Sequence, residues 1–484
     1  MSGRCKQCPV LATGKLSAAT INLGRGVYNK EMKHFLRLFG LFVFLGGLAG
    51  CGQTAVSPTS VPATAVSQAA TAVPQPANTA AATEVAATAT PEPTATPAPT
   101  ETPAGTDTPV PTPTSVWVNP TATVDPSVPV APPPPEGSVV QPEYAESECS
   151  DKYPCNEDVA AWEARIQVPP GFQVKYYGRV EGQPTSLAFG PDGLLYIAVG
   201  EGTIFRMDAE GNPTAYVGGY KTPTGIAFHP YTGELYVASR VIEENVDGEA
   251  AVSIVNHGRI IEGLPCCYTF FHAANGIAFG PDGYGYVSVG ARADHGEILG
   301  TNEQDVLHPY EASILRFNAD GSEVEVYARG LRNSYDIAWD GNGDLWAGDN
   351  DPDFGPPEEL NKVVPGGEHG YPWYDCDVCF KAPPDVEIVP PAYTFMPHAS
   401  PTGLTAYLSG VFPGYYNSIF LTFWSAFPGA QKIVRISPED GPSDFSTGYA
   451  APVDVTVGPD GNLYVGDWAT GIIFQISYVG EAES

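Results

Sequence analysis

The chain has 484 residues and a formal net charge of -32, with 55 acidic against 23 basic side chains. That balance repels phosphate backbones and no basic stripe offsets it, which excludes nucleic acid as a partner. The 49 Pro and 53 Gly are unevenly placed and divide the chain into unlike segments.

In chain order, "MKHFLRLFGLFVFLGGLAGCG" begins at Met32 with Lys33 and Arg37, passes through an apolar run from Leu38, and ends in small residues before Cys51. This is the pattern of an export signal over residues 32–50. The apolar run is about 13 residues long, short of the ~20 that a membrane-spanning helix needs. Leu48-Ala49-Gly50-Cys51 resembles the bacterial lipobox, which implies cleavage before Cys51 and lipid on its thiol. An ordinary secretory signal with a chance cysteine is the alternative. Residues 1–31 precede a complete signal and read as an over-extended start. The expectation is an extracytoplasmic protein anchored to the bacterial membrane through Cys51.

Residues 51–145 are mostly Ala, Thr, Pro, Val and Ser, as in "TATPEPTATPAPTETPAGTDTPVPTPT", and contain no Lys or Arg. Such a segment cannot bury a core and reads as a disordered stalk. Residues 146–484 remain as one large folded domain. Its cysteines fall in three close pairs, Cys149 with Cys155, Cys266 with Cys267, and Cys376 with Cys379. Export makes disulfides the first reading, although spacing alone does not fix their connectivity. Half a zinc site at "CDVC" is the alternative.

Within this domain a unit recurs: "SLAFGPDGLLYIAVG" from 186, "GIAFHPYTGELYVAS" from 225, "GIAFGPDGYGYVSVG" from 276, "DIAWDGNGDLWAGD" from 336 and "DVTVGPDGNLYVGD" from 454. A degenerate sixth copy, "GLTAYLSGVFPGYYNSIFLTF", starts at 403. Each pairs a short apolar strand with a turn and a second strand, which is a hairpin signal. "GTIFRMDAEGN", "ASILRFNADGS" and "QKIVRISPEDG" read as later strands of the same unit. Spacing of roughly 40 to 70 residues suits four-stranded blades, so the expected fold is an all-β, six-bladed propeller. "FQVKYYGRV" is expected to pair with the C-terminal "GIIFQISYV" and close the ring. In such a fold, loops between blades form the mouth, where Arg240, Arg292 and Arg332 recur near strand boundaries as candidate anion ligands.

"ARGLRNSYDIAWDGNGDLWAGDNDPDFGPPEELNKVVPGGEHGYPWYD", together with "HAANGIAFGPDGYGYVSVG" and "PHASPTGLTAYLSGVFP", resembles the soluble quinoprotein glucose and sorbosone dehydrogenases. The resemblance spans about residues 165–478 and implies a six-bladed propeller holding pyrroloquinoline quinone (PQQ) and Ca2+. It implies oxidation of a sugar or related alcohol, with an electron acceptor it does not identify. His272 would be the base, Arg332 would steady the reduced quinone oxygen, and Asn333 would help hold the cofactor. Arg240, Arg292 and Asn350 join that cofactor-binding set. Main-chain oxygens of Asp351 and Pro352 would bind calcium, and Glu358 and Glu359 match a second calcium region in which His369 replaces the family tyrosine. There are departures: "TFWSAFPGAQK" and "GYAAPVDV" lack the family's basic residues, Phe271 replaces an acidic residue, and Ala291 replaces an aspartate. His257, His295, His308 and His398 have no comparable support, and His229 reads as a turn residue. The competing reading is a non-catalytic, ligand-binding propeller of the NHL type.

Overall fold

The computed structural model describes residues 149–243, 248–268, 271–296, 307–352, 356–373, 382 and 384–480. Cys51, the signal, the linker and the Cys376/Cys379 pair lie outside them.

Six antiparallel four-stranded sheets form the blades of a propeller. The innermost strands are Pro184–Phe189, Lys221–Phe228, Ala274–Phe279, Ser334–Trp339, Pro401–Tyr407 and Pro452–Val457, numbered blades 1 to 6. Each packs against the innermost strands on either side, and that of blade 6 meets that of blade 1. The sequence repeats are the first two strands of each blade, and the three intervening pieces are third strands. Second strands such as Leu195–Val199 and Gly285–Val289 are buried along their whole length. They are covered on both faces by neighbouring blades, hence their continuous apolar character.

Ring closure follows the sequence expectation. Phe172–Arg179 is the outermost strand of blade 6 and pairs with Ile472–Tyr478, from Phe172 opposite Tyr478 to Arg179 opposite Ile472. Ahead of it come the Cys149–Cys155 disulfide, one of the close pairs read from the sequence, and a helix absent from that reading, Val159–Arg165, capped by Asp158. Tyr153, Trp162 and Ile166 from this segment enter the core beneath blades 5 and 6.

In all six blades the register between the first two strands shifts near the start of the innermost strand. Bulges of this kind re-aim side chains at a rim. Tyr335, in the bulge of blade 4, donates its hydroxyl to the carbonyl of Thr185 in blade 1 at 2.7 Å. Those blades stand opposite each other, so Tyr335 crosses the axis and closes the central channel. Beside it, the Asp336 carboxylate accepts the Leu404 amide of blade 5, and that of Asp454 accepts the Leu187 amide of blade 1. A Cβ added at Gly276 would collide with Asp336, and one at Gly403 with Asp454, which explains a glycine in each preceding blade.

Candidate functional site

The turn of each leading hairpin lies at one end of the ring, so the starts of innermost strands and the ends of second strands share the other end. His272 lies two residues ahead of Ala274–Phe279, and Arg332 and Asn333 lead directly into Ser334–Trp339. Asn350, Asp351 and Pro352 follow Leu345–Asp349, while Glu358 and Glu359 open the next strand. Arg240 is near the end of Leu235–Ile242, and Arg292 follows Gly285–Val289. All the candidate residues of the domain are therefore at one mouth.

His272 is 4% exposed, and its Nδ1 lies 3.0 Å from the carbonyl oxygen of Ala291. A carbonyl only accepts, so Nδ1 carries the proton and Nε2 keeps its lone pair. Burial holds the imidazole well below the usual histidine pKa, the Arg332 charge adds to this, and the Ala291 hydrogen bond opposes it. The ring is thus a neutral base across ordinary pH. The Tyr268 ring packs edge-to-face on it, with centroids 5.3 Å apart, and the Arg332 guanidinium is 6.0 Å from the same Tyr268 ring.

Arg332 is 5% exposed, and all three of its side-chain nitrogens donate to protein groups. Its Nη2 meets Asp294 Oδ1 at 2.6 Å, Nε donates to the Asp294 carbonyl at 3.0 Å, and Nη1 donates to the carbonyls of Asn350 and Asp351 at 2.7 and 3.1 Å. His295 Nδ1 approaches the other Asp294 oxygen at 2.9 Å. Where the resemblance leaves Ala291 in place of an aspartate, the acid of this blade arrives three residues later as Asp294. Asp349 clamps the loop from below, accepting the amides of Arg332 and Asn333 at 2.8 and 2.7 Å. The Asn333 side chain accepts from Asn275 at 3.0 Å, and Asn350 donates to the Pro401 carbonyl at 2.6 Å.

Asp349, Asp351 and Glu359 bring one oxygen each within 4.8 Å of one another, and all three are buried. Burial pushes the Glu359 carboxyl up to about 8, and repulsion from Asp349 and Glu358 adds to the shift. An all-oxygen, mutually repelling set of this kind suits a hard divalent cation. Glu358 faces elsewhere, accepting the amides of Asp351 and Ser400 at 3.0 and 3.2 Å, so it shapes the loop that carries Asp351. His369 stands behind Glu359: its Nδ1 is 3.4 Å from Asn361 Oδ1, and Asn361 Nδ2 donates to Glu359 at 3.1 Å.

The other arginines are also engaged. Arg292 pairs with Glu311 at 2.9 Å, and that carboxylate is fully buried. Arg240 is buried, which lowers its pKa to about 10, and the Glu243 charge opposes that shift. Phe271, Tyr335, Trp424 and Trp468 form an aromatic wall at the mouth, with Phe271 5.7 Å from Trp424 and Trp424 5.4 Å from Trp468. Sequence reasoning missed Asp294, Asp349, Tyr268 and the two tryptophans. Asp349 was the most accessible of these, because "LWAGD" and "LYVGD" end their repeats in the same acid.

A buried neutral histidine thus stands beside a desolvated arginine at the mouth of the propeller. Residues 237–473 match the family model described as Glucose / Sorbosone dehydrogenase, from the second strand of blade 2 into the third strand of blade 6. The chain thus carries a domain similar to that family over just under half of its length. Among solved structures, the apo-form soluble aldose sugar dehydrogenase of Escherichia coli is 16% identical, with 63% of this chain and 99% of that one covered at a TM-score of 0.53. An oxidoreductase described as a glucose dehydrogenase, from Thermus thermophilus, is 23% identical, with coverages of 63% and 100% and a TM-score of 0.51. At these identities the likeness concerns the fold. An uncharacterized protein of Borreliella burgdorferi is 23% identical over 360 residues, 65% of this chain and 91% of its own.

Proposed function

We propose that the protein oxidises an aldose or related alcohol with PQQ as the oxidant and Ca2+ as its companion ion, outside the cytoplasm and tethered through Cys51. The observation that carries this reading is the His272 imidazole, fixed by Ala291 with its Nε2 lone pair available, beside Arg332. The fit to the cofactor is uneven. Arg332 and Asn333 are donors suited to quinone oxygens, and the wall of Phe271, Trp424 and Trp468 suits a planar ring. The acidic set of Asp349, Asp351 and Glu359 suits the cation.

His272 Nε2 takes the proton of the reacting hydroxyl, and a neutral imidazole at working pH makes that transfer possible without prior deprotonation. Arg332 supplies fixed positive charge where negative charge develops, and Asp294 and the carbonyls of Asn350 and Asp351 hold it in place. Asn333 is held by the Asp349 clamp and by Asn275. When bound, the quinone supplies a two-electron acceptor for the hydride of the substrate carbon. Location outside the cytoplasm is supported by the signal and lipobox and is compatible with the two disulfides.

The test adds PQQ and calcium to purified protein, follows the absorbance of bound quinone, and then adds an aldose with a dye acceptor. Bound quinone that the sugar reduces supports the reading. No binding at micromolar quinone with calcium present overturns it in favour of the ligand-binding propeller.

A further inference from the structure

Cys266 and Cys267 are adjacent residues joined by a disulfide at the end of the outermost strand of blade 2, Gly258–Cys266. Disulfides stabilise chiefly by closing long loops in the unfolded chain, and a bond between neighbours closes the smallest ring available. It joins no distant segments, unlike Cys149–Cys155, whose partners are six positions apart. What it fixes is the local backbone where the chain leaves the strand. The next residue is Tyr268, whose ring lies against both His272 and Arg332. Both cysteines are buried in one apolar cluster with Ala273 and Ala274, the two residues that follow His272. Cys267, next to Tyr268, and Ala273, next to His272, thus belong to the same cluster.

Among the described residues the ring of His272 is hydrogen-bonded through Nδ1 to Ala291, and the edge-to-face contact with Tyr268 supplies a further restraint on its orientation. We propose that the Cys266–Cys267 disulfide and Tyr268 form a positioning device that holds the His272 imidazole in one orientation beside Arg332. Its kinetic consequence rests on the reading of His272 as a base; the positioning itself does not.

The experiment follows the His272 Nδ1–H resonance in protein labelled with 15N-histidine, assigned by its loss in His272→Gln. In the native protein, thiol labelling under denaturing, non-reducing conditions should leave Cys266 and Cys267 unreacted, and the resonance should be sharp and protected from solvent exchange. Reduction with dithiothreitol, the Cys266→Ala/Cys267→Ala double variant and Tyr268→Ala should each broaden it or raise its exchange rate at least tenfold, a threshold marking loss of the buried hydrogen bond. Tyr268→Phe keeps the ring contact and should restore protection. If the double cysteine variant does not fold, Tyr268→Ala and Tyr268→Phe decide the matter. Free thiols at both positions in native protein, or undiminished protection in Tyr268→Ala, overturn the proposal. In protein that binds quinone, Tyr268→Ala should lower kcat roughly tenfold with KM nearly unchanged, a loss confined to the transition state. Protein that binds no quinone refutes the catalytic reading while the resonance still reports on positioning.

Discussion

Blades 4 and 6 present the same backbone frame to the mouth and fill it with different side chains. In blade 4 the chain runs Leu331-Arg332-Asn333-Ser334-Tyr335-Asp336, and in blade 6 it runs Tyr449-Ala450-Ala451-Pro452-Val453-Asp454. Asp349 accepts the amides of Arg332 and Asn333, and Asp467 accepts those of Ala450 and Ala451 at 2.8 and 2.9 Å. Asp336 and Asp454 each reach the next blade in the same way. At the two clamped positions the side chains and their cover differ. Ala450 is buried in a cluster with Tyr153 and Trp162 of the N-terminal segment, and Arg165 Nε donates to Gly448 O at 2.7 Å. The segment that covers the rim of blade 6 leaves little room for a long basic side chain there. The frame is thus scaffold, and chemistry enters wherever the two framed positions carry polar groups with access to the mouth.

The largest way to break this difference is to make blade 4 resemble blade 6. Arg332→Ala leaves the Asp294 carboxylate, 9% exposed in its side chain, without its guanidinium partner. Breaking a buried pair from one side costs about 3–5 kcal/mol. Denaturant unfolding should register that loss, and PQQ-dependent turnover should vanish with it. A variant of unchanged stability would mean that Asp294 finds another partner.

His272→Gln separates chemistry from frame. Turnover should fall about 10²–10⁴-fold, the usual worth of a general base, while quinone affinity stays close to that of the wild type. Stability should change little at pH 7.5, where the imidazole is neutral in folded and unfolded chains alike. An equal loss of quinone binding would mark His272 as a ligand contact instead.

The two clamps then offer a matched pair. Asp349→Ala orphans two buried amides and Asp467→Ala three, at on the order of 1–3 kcal/mol per group, so both should destabilise the fold, Asp467→Ala by somewhat more. Calcium affinity, measured by calorimetry, should fall only for Asp349→Ala, because Asp351 and Glu359 stand beside that carboxylate. Equal calcium affinity in wild type and Asp349→Ala would reassign the acids of blade 4 to scaffold.

The frame was legible because its signals are local and repeated. Six hairpin units and a pairing between Phe172–Arg179 and Ile472–Tyr478 follow from strand patterns and turns within short windows. The helix Val159–Arg165 escaped because its placement depends on Trp162 meeting a core built mainly of residues from around 407 to 476. The site was legible only in outline. Which arginine faces which carboxylate is a tertiary fact: Arg292 was grouped with Arg332, yet Glu311 holds one and Asp294 the other. Nor does a single sequence say that Glu358 turns toward backbone amides while its neighbour Glu359 joins Asp349 and Asp351.

The smallest effect concerns the acids that blades 4 and 6 share at the axis. Burial pushes both Asp336 and Asp454 above the ordinary aspartate range, and their mutual repulsion adds to the shift of Asp454. A carboxyl whose folded pKa is raised binds a proton that the unfolded chain has already released. Its contribution to stability is therefore complete below the unfolded value and is lost as pH rises through the folded one, about 7 for Asp336. His272 has the opposite sign, since its folded pKa is lowered, and its penalty has ended above the ordinary histidine value of about 6.5. The difference between wild type and Asp336→Asn from pH 5 to 7, with saturating calcium to occupy the acids of blade 4, thus isolates Asp336, because His272 contributes equally to both. Asp336→Asn keeps an oxygen for one amide and removes the titration, so wild type should lose stability relative to the variant by up to ~1.4 kcal/mol per pH unit across that interval. Parallel slopes for wild type and variant would show that Asp336 is already ionised in the folded protein at pH 5, with its two amide hydrogen bonds, from Ile337 and Leu404, outweighing its burial.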